Sequence, residues 1–420
     1  MSFSKLGLSP ALCSPLARLG YAELTPIQFA AIPVVLSGVD LLARAQTGTG
    51  KTAAFGLPMI ERFSAKPAGA SRFVRGLVLV PTRELALQVH KSLSTYGAPV
   101  HIRAAVLLGG VSMGPQVQAL RAGPDIVIAT PGRLLDHMQR RTIDLSKLEV
   151  LTLDEGDRML DMGFQPALRR INAALPRTRQ TLLFSATLAE DVTRLAKEFT
   201  KDPKRVDVSG DQAVASTVTH HVHPVSLSDK RNVLAHVLTS SGQDQALVFC
   251  RTKRGANRVG EYLEESGVRA GVIHGNKSQS ARVRALDSFK AGRLRVLVAT
   301  DIAARGLDIQ KLPLVINFDL PLVASDYVHR IGRTGRAGLT GRAVSLASSA
   351  DSSLLREIQA LLSEPLEYVS LPGFAAPSVN APERRQQKPQ SRGRGQGGDF
   401  RRQRPHAARA SRGRSFQRSA

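Results

Sequence analysis

Two short stretches of this sequence carry the residue types that phosphate chemistry needs. The first is Ala45-Gln46-Thr47-Gly48-Thr49-Gly50-Lys51-Thr52. Its glycines let backbone N–H groups approach phosphate oxygens closely, and a helix starting at its end would add a favourable dipole. Lys51 closes the loop where a lysine reaches the β and γ phosphates, and the Thr52 hydroxyl can hold Mg²⁺. The strict form of such a loop begins with glycine, whereas this one begins with Ala45. Alone, the stretch also describes a glycine-rich turn between a strand and a helix. The second stretch is Asp154-Glu155-Gly156-Asp157, directly after the apolar run 150–153. One carboxylate there can hold Mg²⁺ while the next orients or deprotonates an attacking water. An isolated Asp-Glu pair is usually a polar turn before a helix; downstream of a phosphate loop it reads as the other half of a nucleotide-hydrolysing site.

These residues need a scaffold that delivers loops to one place. Residues 41–43 precede the glycine-rich loop as a strand candidate, and further apolar runs fall at 77–80, 126–129, 150–153 and 182–184. A second series follows at 246–250, 295–299, 314–317 and 343–346. Near-continuous apolar strands alternating with helical patterns predict parallel sheets covered on both faces. Ligands of such sheets sit outside the carboxyl ends of the strands, where Asp154 and Glu155 fall. The fold class is therefore α/β. A polar stretch around 202–219, with Pro203, Gly210 and several serines and threonines, separates the two series. The expected organisation is 1–38 leading into a first domain, 39–205 as the nucleotide-binding domain, 206–219 as a linker, 220–372 as a second domain and 373–420 as a tail.

Composition narrows the partner. The 420 residues include 58 Lys and Arg against 34 acidic residues, a net +24. Such a balance points to a polyanion, either nucleic acid or an acidic membrane surface. No uninterrupted apolar stretch is long enough to span a bilayer, and residues 1–10 lack the pattern of a signal peptide. Nucleic acid in a cytoplasmic setting is the stronger expectation. The two cysteines, Cys13 and Cys250, suggest neither a disulfide framework nor a zinc site and fit a reducing compartment. His220, His221 and His223 could suggest a metal, but on a strand alternate residues face opposite sides, and no cysteine or well-placed carboxylate completes the set. From residue 383 onward, twelve Arg and Lys stand against Glu383 and Asp399, a net +10. This segment is rich in Arg, Gln, Gly, Ser and Pro, cannot bury enough surface to offset its ordering entropy, and is expected to be disordered.

The ordered set of motifs resembles the DEAD-box RNA helicase family, with Asp-Glu-Gly-Asp at 154–157 in place of Asp-Glu-Ala-Asp. Ala45 is what that family has at the start of its phosphate loop. The other elements appear in the family's order: Pro81-Thr82-Arg83-Glu84-Leu85-Ala86, Gly109-Gly110, Thr130-Pro131-Gly132-Arg133 and Ser185-Ala186-Thr187 in the first half. The second half holds Val248-Phe249-Cys250-Arg251-Thr252, His274-Gly275 with Gln279 and Arg282, residues 299–308, and 329–336. Upstream, residues 20–28 resemble the family's Q motif, with Phe3 further before it. The resemblance covers about 3–371. The run His274-Gly275-Asn276-Lys277-Ser278-Gln279 and the short basic tail are closest to the bacterial RhlE-type subgroup.

The resemblance implies two tandem RecA-like domains with ATP and RNA between them. It implies that Phe3 stacks on adenine, that Gln28 reads its edge with help from Thr25, and that Asp308 contacts the ribose. An amide suits adenine because it offers a donor and an acceptor together. Lys51, Asp154 and Glu155 would be catalytic, joined by Arg333 and Arg336 from the second domain, whose guanidinium groups suit the spread charge of a transferring phosphoryl. Asp157, Ser185, Thr187 and His329 would couple the ATP site to strand separation. RNA would meet Thr82, Arg83, Gly109, Gly110, Thr130, Gly132, Arg133, Arg282 and Thr300. Hydroxyls, arginines and backbone amides of this kind contact phosphates without reading bases. The implied activity is ATP-dependent, Mg²⁺-assisted, local and non-processive remodelling of short RNA duplexes and RNA–protein complexes, with a ribosomal precursor or the RNA-decay machinery as candidate partners and no membrane partner. An ATP-dependent RNA clamp, a DNA helicase and a metabolic kinase are the rival readings. Intact Glu155, Arg333 and Arg336 weigh against the first, the Q motif against the second, and the second motif-bearing domain against the third.

The tail resembles arginine-rich RNA-binding segments at Arg392-Gly393-Arg394, Arg401-Arg402 and Arg412-Gly413-Arg414, with Phe400 and Phe416 available to stack. Truncation before Glu383 is expected to weaken RNA affinity and to flatten its dependence on salt concentration in a titration; an unchanged slope would mean the tail is only a solvated appendage.

Overall fold

The computed structural model describes residues 3–21, 23–46, 48–65, 73–208, 218–242, 244–304, 307, 309, 312–335, 340–362 and 364–374. Within them the chain forms two seven-stranded sheets. The first contains β1 (Leu41–Arg44), β2 (Gly76–Leu79), β3 (Ala104–Leu107), β4 (Ile126–Ala129), β5 (Val150–Leu153), β6 (Gln180–Ser185) and β7 (Lys204–Asp207). The second contains β8 (Val218–Pro224), β9 (Ala246–Phe249), β10 (Ala270–Ile273), β11 (Val296–Ala299), β12 (Leu314–Asn317), β13 (Gly341–Ala347) and β14 (Glu367–Tyr368). All pairings are parallel.

The strand orders are β3-β4-β2-β5-β6-β1-β7 and β10-β11-β9-β12-β13-β8-β14. Adding seven to each label of the first gives the second, so the chain builds one topology twice. The crossovers are helical. In the first half α1 (Pro10–Arg18) and α2 (Pro26–Leu36) precede β1, and the crossover helices are α3 (Lys51–Ala65), α4 (Arg83–Gly97), α5 (Met113–Arg121), α6 (Pro131–Gln139), α7 (Gly156–Asp161), α8 (Gln165–Ala174) and α9 (Glu190–Phe199). In the second half they are α10 (Lys230–Ser240), α11 (Lys253–Glu265), α12 (Gln279–Lys290), α13 (Asp301–Ala304), α14 (Ala324–Ile331) and α15 (Ser352–Leu361).

Apolar packing explains the layers. The central strands β2, β4, β5, β9, β11 and β12 are buried at every position, as the near-continuous apolar runs require. One face of the first sheet packs Phe55, Phe63, Leu93 and Phe184 together with Phe3, Leu12 and Ile27. Residues 3–36 therefore belong to the core of the first domain. The other face packs Leu79, Leu134, Met159 and Phe199. The second sheet likewise has separate clusters around Val248 and Val259, Phe249 and Phe289, and Tyr327 and Ile358.

The stretch 206–219 is shorter as a connection than the sequence suggests: Val206 and Asp207 end β7, and Val218 and Thr219 begin β8. Residues 209–217 lie outside the described residues, as does everything after 374, the tail included. The three histidines on β8 take separate partners: His220 Nδ1 with Tyr327 Oη at 3.2 Å, His221 Nε2 with Glu367 at 3.2 Å, and His223 Nδ1 with the Val369 carbonyl at 2.7 Å. Among the described residues no group of His, Cys, Asp or Glu is placed to hold a metal, and no helix is long and apolar enough to cross a membrane. Both cysteines are free thiols.

One glycine fixes the entry to β13. A Cβ on Gly341 would overlap the Thr334 hydroxyl and the Gly335 backbone. Thr334 is fully buried and its hydroxyl donates to the Leu312 carbonyl. The close approach thus holds the segment that carries Arg333. Gly341→Ala is expected to destabilise the protein by about 1–3 kcal/mol through overpacking, read as a lower thermal midpoint, whereas a wild-type midpoint would show that the segment gives way freely.

Candidate active site and interdomain cleft

The glycine-rich loop leaves β1 and ends at Lys51, the first residue of α3. Gly48 and Gly50 have φ of 86° and 90°, a region that disfavours any Cβ. Gly50 is also crowded: a Cβ there would strike the Gln28 amide. Gln28 is fully buried and holds the loop from behind. Its Nε2 donates to the Gly50 carbonyl at 3.3 Å, and its Oε1 accepts from Thr25 N at 3.0 Å. Thr25 completes a capping box at the start of α2. Phe3 lies 6.1 Å from Tyr21, edge to face, in the adjoining core.

Lys51 is buried. Its Nζ donates to the Ala45 carbonyl at 3.1 Å and stands 3.9 Å from Asp154 Oδ1. Asp154 continues β5, its N–H bonded to the Leu79 carbonyl at 3.0 Å. Burial raises its carboxyl to about 6, with Lys51 opposing the shift and Glu155 adding to it. Asp154 Oδ1 is enclosed and has no hydrogen-bond partner. An anionic oxygen held in this way, beside the Thr52 hydroxyl position, fits a divalent cation. Glu155 sits at φ 57°, ψ 54°, left-handed backbone that costs a non-glycine residue about 1–2 kcal/mol. This turn presents Asp154 and Glu155 together at the strand end. They line a cleft of about 320 Å³ with Gly50, Lys51 and Thr52, and Leu307 of the second half also lines it.

Asp157 ties the carboxylate turn to the end of β6. Its Oδ2 accepts from Ala186 N at 3.1 Å, and the Ser185 hydroxyl accepts from Asp157 N and Thr187 N, both at 3.4 Å. Ala45 N donates to the Ser185 carbonyl at 2.9 Å, so the phosphate loop joins the same network.

A second group gathers at the ends of β2, β3 and β4. Thr82 caps α4 through Leu85 N at 3.2 Å, and Thr130 precedes α6 with Pro131 in its first turn. Gly110 has φ 71° and lies against the Arg83 guanidinium, where a Cβ would overlap it. Open space surrounds the missing Cβ of Gly109 and Gly132. Both terminal nitrogens of Arg133 donate to the Val111 carbonyl at 3.1 Å.

The second half meets the first through polar contacts. Glu84 accepts from Gln279 Nε2 at 2.9 Å and pairs with Arg282 at 3.0 Å. Arg282 is thus directed at Glu84, and Thr300, also buried, bonds through its N–H to the Ile273 carbonyl at 3.3 Å. Arg158 lies 3.5 Å from Asp326 of α14. Arg333 donates to the Leu307 carbonyl at 2.6 Å, one residue from the nucleotide cleft, and His329 shares a small enclosure with Arg158, Asp301, Asp326 and Arg333. Thr47, Asp308 and Arg336 lie outside the described residues.

Comparison with known proteins adds a family to this geometry. The model of the DEAD/DEAH box helicase family matches residues 25–195, and that of the helicase conserved C-terminal domain matches 229–338. The DEAD-box ATP-dependent RNA helicase CshA of Bacillus subtilis is 42% identical over 359 residues, 86% of this chain and 72% of that protein. The chain belongs to the DEAD-box RNA helicase family. The ATP-dependent rRNA helicase rrp3 of Sclerotinia sclerotiorum is also 42% identical, over 87% of this chain and 76% of its own length. Among solved structures, S. cerevisiae Dbp5 bound to RNA and ADP BeF3 superposes with a TM-score of 0.78 at 30% identity, covering 88% of this chain and 95% of that one. The helicase is thus an ATP-dependent, RNA-binding enzyme built on two RecA-like domains.

Several residues that shape the helicase site drew no role from the sequence. Arg330 is buried and carries the most bonds: two to Asp301 at 2.6 and 2.7 Å, one to Asn317 at 2.8 Å and one to the Asp319 carbonyl at 2.6 Å, with its guanidinium 4.8 Å over Phe249. It locks the loops after β11 and β12 together. Its place between Gly-rich and charged neighbours inside 329–336 was the available signal. Gly156 is the first residue of α7, and a Cβ there would meet Leu183 Cδ2 at 3.4 Å and the Phe184 carbonyl at 3.7 Å, ordinary contact. Gly156→Ala is therefore expected to leave RNA-stimulated turnover within about twofold and to raise the thermal midpoint, with a ceiling of about 1 kcal/mol from helix propensity. A gain of orders of magnitude in ATPase would show that the glycine restrains the carboxylate turn.

Proposed function

We propose that this helicase couples one ATP to local, non-processive opening of short RNA duplexes or RNA–protein contacts. The observation that carries this reading is a single cleft lined by Lys51, Asp154 and Glu155 from the first domain and Leu307 from the second, with Arg333 bonded to the Leu307 carbonyl. A cleft of this kind is complete only while the two domains are together. Chemistry that needs both sides then makes domain closure a condition of turnover.

In the proposed division of labour, the amides of residues 45–50 and the Lys51 ammonium bind the phosphates. Thr52 and Asp154 hold Mg²⁺, partly through water; the ion would neutralise charge on the β and γ phosphate oxygens. Glu155 orients and deprotonates the attacking water. Its raised backbone turn points the carboxylate into a site where burial weakens competition from bulk solvent. Arg333 exchanges the Leu307 carbonyl for the γ-phosphate, and Arg336 supports it. Phe3, Thr25 and Gln28 serve the adenine, Gln28 also by holding Gly50, and Asp308 serves the ribose. Asp157, Ser185, Thr187 and His329 relay closure between the two sites.

For RNA we assign Thr82, Arg83, Gly109, Gly110, Thr130, Gly132 and Arg133 on the first domain and Arg282 and Thr300 on the second. Amides and guanidinium groups at helix starts bind phosphates without reading sequence. The assignment to the RhlE-type subgroup rests on residues 274–279 and the basic tail. A ribosomal precursor is the favoured RNA, because the similar rrp3 is named an rRNA helicase; the RNA-decay machinery is the other candidate, in the cytoplasm.

The test is steady-state ATPase without nucleic acid, with single-stranded DNA and with RNA, alongside Glu155→Gln. RNA alone should stimulate turnover strongly, and the variant should lose at least about 10²-fold, the weight of a positioned general base. RNA binding that depends on ATP without any turnover would replace the helicase reading by a clamp.

A further inference from the structure

Loop 108–112 carries Gly109 and Gly110, and three elements grip it. Arg83 of α4 fills the space beside Gly110, and Arg133 of α6 gives both terminal nitrogens to the Val111 carbonyl. Both arginines belong to the RNA surface proposed above. The third grip comes from Gln116 in α5, which no motif contains. Its Oε1 accepts from Leu108 N at 2.9 Å, and its Nε2 donates to the Leu108 carbonyl at 3.2 Å and the Ser112 carbonyl at 2.8 Å.

These three bonds use all but one lone pair of the amide. With Leu108 it exchanges a donor and an acceptor, as a neighbouring strand would, just past the end of β3. With Ser112 it closes the far end of the loop. Gln116 is buried, so water competes little for these groups. The bonds therefore fix both ends of a five-residue turn whose middle is glycine and would otherwise sample many backbone states.

We infer that Gln116 is a positioning residue for RNA: it presets the Gly109–Gly110 backbone so that its amides meet a phosphate without further ordering. The argument rests on the proposal that this loop faces RNA. Arg133 gives the inference its force. A guanidinium bonded to Val111 through these two N–H groups keeps its other N–H groups for a phosphate; a phosphate that takes the same two instead releases one of the three grips. Gln116 points into the protein, away from that exchange, and keeps the loop in place while it happens. Preset groups lose less freedom on binding, and the saving appears as affinity.

The experiment compares Gln116→Met, Gln116→Glu and Gly110→Ala with wild type by ATPase titrations in RNA and in ATP, with thermal melts. Methionine keeps the length of the side chain and removes all three bonds; glutamate keeps only the acceptor for Leu108 N. The RNA concentration for half-maximal stimulation should rise about tenfold with Gln116→Met, the weight of buried polar groups left unpaired, and at least as much with Gln116→Glu, whose buried carboxylate would face the Leu108 and Ser112 carbonyls. Turnover at saturating RNA and KM for ATP should stay within about twofold, since neither depends on the preset. If Gly110→Ala weakens RNA and Gln116→Met does not, the positioning role fails and the RNA surface stands. If neither variant changes RNA dependence, the loop does not face RNA and that surface fails as well. A joint loss of turnover, ATP affinity and thermal midpoint in both Gln116 variants would make Gln116 a general support of the domain and overturn the inference.

Discussion

The cleft depends on keeping a buried ammonium beside a buried carboxylate without letting them close into a hydrogen-bonded pair. Lys51 Nζ rests on the Ala45 carbonyl and stands 3.9 Å from Asp154 Oδ1, beyond hydrogen-bond reach. A fully closed pair would have its charges satisfied internally and little left for a ligand. Held apart, both keep unspent capacity, and the carboxyl stays near 6 because burial outweighs the nearby lysine. The surrounding scaffold enforces this separation. The Ala45 N–H is fixed to Ser185, Gly50 is fixed to Gln28, and Asp154 is fixed by its backbone to β2.

The same arrangement explains why the site sits at the carboxyl end of each sheet. Parallel strands deliver all their following loops to one end. In the first domain that end carries the phosphate loop, the carboxylate turn and the starts of α4 and α6. In the second it carries α13, α14 and the Arg330 network. Contact between the halves is polar: Glu84 with Gln279 and Arg282, and Arg158 with Asp326. Polar pairs between domains can be exchanged for water or for ligand phosphates at modest cost, whereas an apolar seam would resist opening. Glu84 illustrates the point, since its partner Arg282 is also an RNA candidate.

How much of this was legible depended on burial. The strands β4, β5 and β12 begin and end where their apolar runs do, because both faces are covered and the pattern has no reason to alternate. The edge strands β3 and β10 give no such signal: they hold alanine and glycine and are only half covered. Lys204–Asp207 reads as linker because only Val206 is buried, yet it pairs with β1 along its length. At the site, candidates marked by residue type and spacing, such as Lys51, Asp154 and Arg333, are visible in the sequence. Those defined by a folded contact, such as Gln116 on the backbone of loop 108–112 or Asp326 on the Arg158 guanidinium, are not, since residue type alone does not predict the partner. Gln28 shows a middle case. Its amide suits an adenine edge, and it also spends one donor on Gly50 and one acceptor on Thr25, a second duty only coordinates reveal.

The repeated strand order has a consequence for stoichiometry. In the first copy the turn after the initial strand is the phosphate loop. In the second copy the equivalent turn, after β8, is Val225-Ser226-Leu227-Ser228-Asp229, which has no glycine and bonds its own hydroxyls and carboxylate together, Ser226 to Ser228 and to Asp229 at 2.7 Å each. The duplicated architecture thus has one fuel inlet for two bodies. Under the proposed mechanism each molecule of ATP would set only one relative position of the pair, so the mechanical output per turnover would be a single stroke, and any longer task would be divided among independent visits.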